Sequence, residues 1–211
     1  INGGGSLGDV TLSGSYGVVE GFVFDRMQVR LGSSYMALRS SEVKNFSPSS
    51  NSAAVTGSGT NLVLYNNHIH HNGSASGSAE VDVHAIKFGT GSSSIWVVDN
   101  LIHENGGDEI QLGDANGSEP WVHHVYFGRN TGYGSRENCV DIKRARDIIV
   151  SQNDCSGYRP TSSSSGETIV VHNEPQRVWI LNNKIHDSAL GVVTSSNGSS
   201  PAWACSRRAW R

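Results

Sequence analysis

ENCVDIKRARDIIVSQN, residues 137–153, holds the unit that the rest of the chain repeats. It reads as two short strands joined by a charged corner: Val140-Asp141-Ile142-Lys143, then Arg144-Ala145-Arg146, then Asp147 to Asn153. Alternation sets Val140 and Ile142 on one face and Asp141 and Lys143 on the other. The second strand runs into Asn153, and that Asn has counterparts along the chain.

Five segments align on it: LYNNHIH (64–70), VVDNLIH (97–103), FGRNTGY (127–133), VSQNDCS (150–156) and ILNNKIH (180–186). The shared residues are Asn67, Asn100, Asn130, Asn153 and Asn183, at steps of 33, 30, 23 and 30. Two positions on, the column reads Ile69, Ile102, Gly132, Cys155 and Ile185, mostly apolar. A second set of strands centres on Val55, Ile86, Ile110, Ile142, Val171 and Val193, aliphatic throughout and therefore predicted core. Constant strands with unequal spacers are the pattern of a solenoid. An Asn at the same turn of successive coils can stack its amide into a ladder, about 4.8 Å per rung.

These features predict an all-β fold, a right-handed parallel β-helix (solenoid) of about six or seven coils. One domain spans 1–211, with regular rungs over about 50–195 and one degraded coil over 22–43. Residues 1–17 read as a partial rung or a frayed end. The tail from 198, ending PAWACSRRAWR, fits no rung and reads as an irregular cap or a disordered end.

Composition agrees with many tight turns: 25 Gly against 5 Pro in 211 residues, with Ser-rich runs. A formal net charge of −3 argues against a nucleic-acid partner. No apolar run approaches the ~20 residues that span a bilayer, so no membrane partner is expected. The chain starts at Ile1 without Met or a leader pattern, which points to processing or trimming. Of three cysteines, Cys155 falls in the apolar column and reads as a buried free thiol. A Cys139–Cys155 bridge is the alternative, which spacing alone does not support.

The NNxIH-type turns and the 137–143 strand resemble the polysaccharide-lyase type of this fold. The resemblance implies β-elimination on an acidic, uronate-containing polysaccharide such as alginate or pectate. It implies a secreted or periplasmic, monomeric protein, and either no cofactor or the calcium that many relatives use.

Alternation also predicts what faces solvent. One outward column reads Thr56, Lys87, Gln111, Lys143, His172, Thr194, and the next Ala54, Ala85, Glu109, Asp141, Val170, Val192. Polar types fill the middle rungs, with His84 and Asp108 at their edge. Elimination needs a base to remove the proton α to a carboxylate and a cation to neutralise the charge that develops. Lys143 is the expected base, its pKa lowered by neighbouring cations, with Lys87 and His172 as rivals. A salt bridge to Asp141 or Glu109 is the plainer role for it. Arg144 and Arg146 are expected to grip substrate carboxylates, with Gln111, His84 and Tyr158 as further substrate contacts. Glu109 and Asp141, on neighbouring rungs, offer the hard oxygens calcium takes, although Lys87 and Lys143 compete with it.

His68-His70-His71 and His123-His124 raise a metal reading. The first group stands at turn positions echoed by His103 and His186, so stacking at a corner is the plainer account. Neither group has a Cys or acidic partner at zinc spacing. Loops 113–121 and 158–166 are expected groove walls. Two other functions compete: a non-catalytic carbohydrate-binding β-helix, as in tail fibres or adhesins, and a glycoside hydrolase or uronate epimerase. A hydrolase needs paired acids, for which Glu109 and Asp141 are candidates. The β-helix hydrolases as a family use clustered Asp residues, and that Asp cluster is missing here.

Overall fold

Each coil is three short strands joined by corners and loops, and alternation within each strand sends apolar side chains to a common interior. The computed structural model describes residues 8–75, 81–195 and the backbone of 203–206. Every strand pairs in parallel with the strand one coil away, giving three sheets of eight, eight and seven strands among the described residues. Seven coils are complete, and Leu190–Thr194 with Trp203–Ser206 begins an eighth. The fold is the expected right-handed parallel β-helix.

The rungs reach further than expected. Gly8–Leu12 pairs in register with Met27–Leu31, so the N-terminal coils are regular. Within the predicted tail, Trp203–Ser206 pairs with Gln176–Leu181. The rest of the tail and residues 1–7 lie outside the described residues.

The Asn ladder joins the second sheet to the third. Each side-chain amide donates to the next Oδ1: Asn67 to Asn100 at 3.0 Å, Asn100 to Asn130 at 3.0 Å, Asn130 to Asn153 at 3.1 Å, Asn153 to Asn183 at 2.8 Å. The residue before each Asn is left-handed, with φ of 55° at Asn66, 57° at Asp99, 54° at Arg129, 60° at Gln152 and 55° at Asn182. Asn and Asp tolerate that region best, which suits three of these five positions. A second ladder, Asn72–Asn105–Ser135, stands at the next corner. It was not apparent from the sequence.

The first sheet corrects the predicted register. Val29, Val55, Ile86, Ile110, Val140, Ile169 and Val192 form one inward column. Phe88, Leu112, Ile142 and Val171 form another, and Val193 pairs with outward Val170. The aliphatic set therefore splits. With a side-chain period of two, Val140 and Ile142 fit the apolar column equally well, so pattern alone could not choose between registers. The outward column becomes Arg30, Thr56, Lys87, Gln111, Asp141, Val170, Val193. Lys143 and His172 pair with each other two residues further along.

Ala54, Ala85 and Glu109, expected outside, are fully buried. Glu109 accepts a hydrogen bond from the Tyr158 hydroxyl at 2.9 Å in the core, beside a Cys139–Cys155 disulfide. Cys155 is thus buried as read, but it is bonded and not a free thiol. This filling explains why Gly132 interrupts an Ile column. A Cβ there would lie 3.2 Å from the Tyr158 hydroxyl, 3.3 Å from Cys139 Sγ and 3.4 Å from Glu109 Cδ.

Candidate active site

The outward face of the first sheet gathers a buried polar cluster over its middle rungs: His84, Asp108, Glu137, Asp141, Lys143 and His172. The first four are each less than a tenth exposed. Asp108 Oδ1 accepts from the Asn138 amide at 3.1 Å, and its Oδ2 lies 3.2 Å from His84 Nδ1. That nitrogen accepts from the Asp108 amide at 3.1 Å. So close an approach needs Gly107, where any Cβ would stand 2.7 Å from His84 Nδ1. Glu137 Oε1 accepts from Ser163 Oγ at 2.5 Å. One ligand atom each of His84, Asp108 and Glu137 falls within 4.8 Å of the others.

Electrostatics divides these acids. Burial, then the charge of Asp108, pushes Glu137 up to about 7. Burial and the charge of Asp141 raise Asp108 well above the usual carboxylate range. Burial holds His84 down to about 4. Both shifts favour the uncharged forms, so the His84–Asp108 contact is not an ion pair at neutral pH. Asp141 goes the other way. Burial would raise it, but hydrogen bonds and charge from His172 at 2.8 Å and Lys143 at 2.7 Å outweigh that and hold it below its ordinary value.

Lys143 therefore departs from the expectation. Burial pulls its pKa down, but the charge and hydrogen bond of Asp141 prevail and the net shift is upward. That is opposite to what a Lys base requires. The other expected cations are also occupied. Lys87 pairs with Asp114 at 2.7 Å and Arg146 with Glu119 at 2.9 Å. Arg144 lies 4.0 Å from Glu174 and donates to the Gly117 carbonyl at 3.4 Å.

Of the proposed substrate contacts, His84 and Gln111 sit in or beside the cluster, with Gln111 Oε1 buried and unpartnered. Tyr158 is fully buried and turned to Glu109, so it cannot reach a ligand on this face. Glu109 and Asp141 stand on opposite sides of the sheet, which separates the expected calcium pair. Sequence reading also passed over Glu137 as a functional residue and left Asp108 at the margin. The Gly106-Gly107 pair before Asp108 was the available signal. Asp108, Glu137 and Asp141 form a mixed Asp and Glu group that the strand pattern did not bring together.

Two loops border this face. Residues 113–121 follow the strand Ile110–Leu112 and are held by Lys87, Arg144 and Arg146; residues 157–166 precede the strand Glu167–His172 and reach Glu137 through Ser163. They stand at opposite ends of the strands, with the acids between. A separate open depression of ≈440 Å³ lies elsewhere, lined by Phe22, Glu42, His68 and Leu101 among others. Acid chemistry identifies the first-sheet cluster as the stronger candidate, because that depression has no comparable set of shifted acids.

The class so defined is a parallel β-helix with a buried, electrostatically divided acid cluster on an outward sheet face. Among solved structures, the chain is similar in fold to an alanine variant of the catalytic domain of a GH87 alpha-1,3-glucanase in complex with nigerose. The TM-score is 0.63 at 11% identity, over 84% of this chain and 32% of that one. Another structure of such a domain with nigerose aligns at a TM-score of 0.47 and 10% identity, over 95% and 55%. The chain thus spans about a third of the first domain's length. No protein-family model and no curated protein matches the sequence.

Proposed function

We propose that this protein hydrolyses glycosidic bonds in a polysaccharide, with Glu137 as the proton donor and Asp141 as the carboxylate partner. The observation that carries this reading is the opposition of two buried acids on one face. Glu137 is held protonated up to about pH 7, whereas Asp141 is held ionised by Lys143 and His172. Glycoside hydrolysis asks for such a division, one carboxyl to protonate the leaving oxygen and one to act as base or nucleophile. Burial, and after it the charge of the neighbouring Asp108 carboxyl, disfavours the ionisation of Glu137.

The occupied cations favour a neutral glycan. Lys87, Lys143, Arg144 and Arg146 each already face a carboxylate of the protein, so a uronate polymer would have to displace those pairs. The likeness of fold to an alpha-1,3-glucanase domain makes α-linked glucans the first substrates to try. The Cys139–Cys155 disulfide fits an oxidising compartment, in keeping with a protein that meets polysaccharide outside the cell.

The test is a panel of neutral glucans, α-1,3-glucan among them, assayed for new reducing ends, beside alginate and pectate assayed for the ultraviolet absorbance of an unsaturated uronate. Reducing ends that are lost in Glu137→Gln support hydrolysis. Unsaturated product from a uronate polymer would establish the lyase reading instead. Binding without any product would make this a carbohydrate-binding module.

A further inference from the structure

The outward face of the third sheet carries a second cluster of chemistry-bearing side chains, on a different sheet from the acids. His68 and His70 alternate within the strand His68–His70, so both leave the same face, about 7 Å apart along the chain. They are strand residues and not turn residues as expected. Parallel pairing places Leu101 beside His68 and His103 beside His70. Two residues of one strand and one of the next thus form a triangle of imidazoles.

The rings are drawn together. His68 and His70 stack with centroids 3.9 Å apart, and His70 and His103 with centroids 5.1 Å apart. Tyr133 closes the far side, stacked on His103 at 4.6 Å. His68 Nε2 and His103 Nε2 face each other at 2.8 Å. Two lone pairs would repel at that distance, so one proton bridges them. Its owner follows from Glu104, whose carboxylate lies 2.8 Å from His103 Nδ1. A carboxylate only accepts, so Nδ1 carries the His103 proton and Nε2 presents its lone pair. The bridging proton therefore belongs to His68.

We propose that His68, His70 and His103 bind one divalent transition-metal ion, with zinc as the reference case. One ring nitrogen from each lies within 4.8 Å of the others, close enough for a single ion to draw the three together. The ion takes the place of the bridging proton, and His68 stays neutral by carrying that proton on Nδ1. Glu104 supplies what metal-bound histidines ordinarily have, a carboxylate on the far nitrogen that fixes tautomer and ring orientation. A set of three imidazoles selects zinc, copper or nickel over calcium or magnesium, which prefer oxygen. Three protein ligands leave the fourth tetrahedral position open, and His68 lines the open depression beside it.

The test uses the full chain without an added histidine tag, stripped with chelator and titrated with zinc, and separately with calcium, by calorimetry. One equivalent of zinc, no calcium, and a melting temperature raised by zinc are the expected results. His68→Ala and His103→Ala should each weaken zinc more than about tenfold, and Glu104→Gln by about tenfold. His123→Ala, in the other histidine pair, should leave zinc binding unchanged. If a variant fails to fold, copper bound to the wild-type chain decides, since its paramagnetic resonance spectrum should show coupling to three imidazole nitrogens. No zinc uptake, fewer coupled nitrogens, or zinc lost in Glu137→Gln but retained in the His68 and His103 variants would each overturn the proposal. None of these outcomes depends on hydrolytic activity.

Discussion

Lys143 donates to Asp141 across 2.7 Å on the outward face of the first sheet, and each holds the other charged. The pair makes Lys143 a poor base and Asp141 a persistent carboxylate.

Lys143→Ala should therefore act through Asp141. Without the ammonium, burial gains weight and the Asp141 pKa rises, although His172 remains. The acid limb of the pH–rate profile should move to higher pH, with activity lost most on the acid side and least near neutrality. The fold should lose about 1–3 kcal/mol, because a buried carboxylate gives up one of two partners. Complete loss of activity at every pH, with no shifted limb, would return Lys143 to the role of base.

Asn130→Leu tests the ladder. The side chain donates to Asn153 and to the Val97 carbonyl and accepts from Asn100, all buried. Leucine leaves those partners unsatisfied at about 1–3 kcal/mol for each group not rescued by water. The melting temperature should fall by several degrees at least. An unchanged melting curve would mean the Asn column only forms turns.

The fold was legible because its evidence is local and repeated. An Asn at each corner and an aliphatic residue mid-strand recur whatever the loops between them do. Register was not legible, since Val140 and Ile142 both satisfy the inward pattern and only the pairing of Ile110 with Val140 decides. That slip moved Lys143 off the Gln111 rung and brought Asp141 onto it. Glu109 was misplaced for another reason. It precedes the strand Ile110–Leu112, where alternation no longer applies, and its interior partner Tyr158 lies 49 residues away. Glu137 did not stand out in the sequence because its partner Ser163 comes from a loop that no periodicity predicts.

Gly132→Ile would fill the gap in the apolar column of Ile69, Ile102, Cys155 and Ile185, and it should destabilise. The space for a side chain is already held by Tyr158, Glu109 and the disulfide, so even the Cβ crowds three neighbours. Overpacking costs typically about 1–3 kcal/mol, and an Ile at this point should reach the upper part of that range. Denaturant unfolding of wild type and variant measures it. Equal midpoints would show that the interior here is loose and that Glu109 can turn away.

Glu137→Gln separates a catalytic acid from a merely structural one by moving activity and stability in opposite directions. The folded-state pKa is about 7, above the ordinary 4.5. Below 4.5 both states are protonated and the group costs the fold nothing. As pH rises from there, the unfolded chain ionises first, and stability falls until the folded carboxyl also ionises near 7. Glutamine is free of that loss and can still accept from Ser163. The variant should therefore match the wild type near pH 4 and exceed it at pH 8 by up to about 3 kcal/mol. Activity should drop by about 10²–10⁴-fold, the usual loss for a positioned acid. In the wild type, the rate should decline as pH rises through about 7, where Glu137 gives up its proton. Melting curves at the two pH values and a pH–rate profile measure all three. A variant that keeps its activity, or one that is less stable than wild type at pH 8, would remove Glu137 from the role of proton donor.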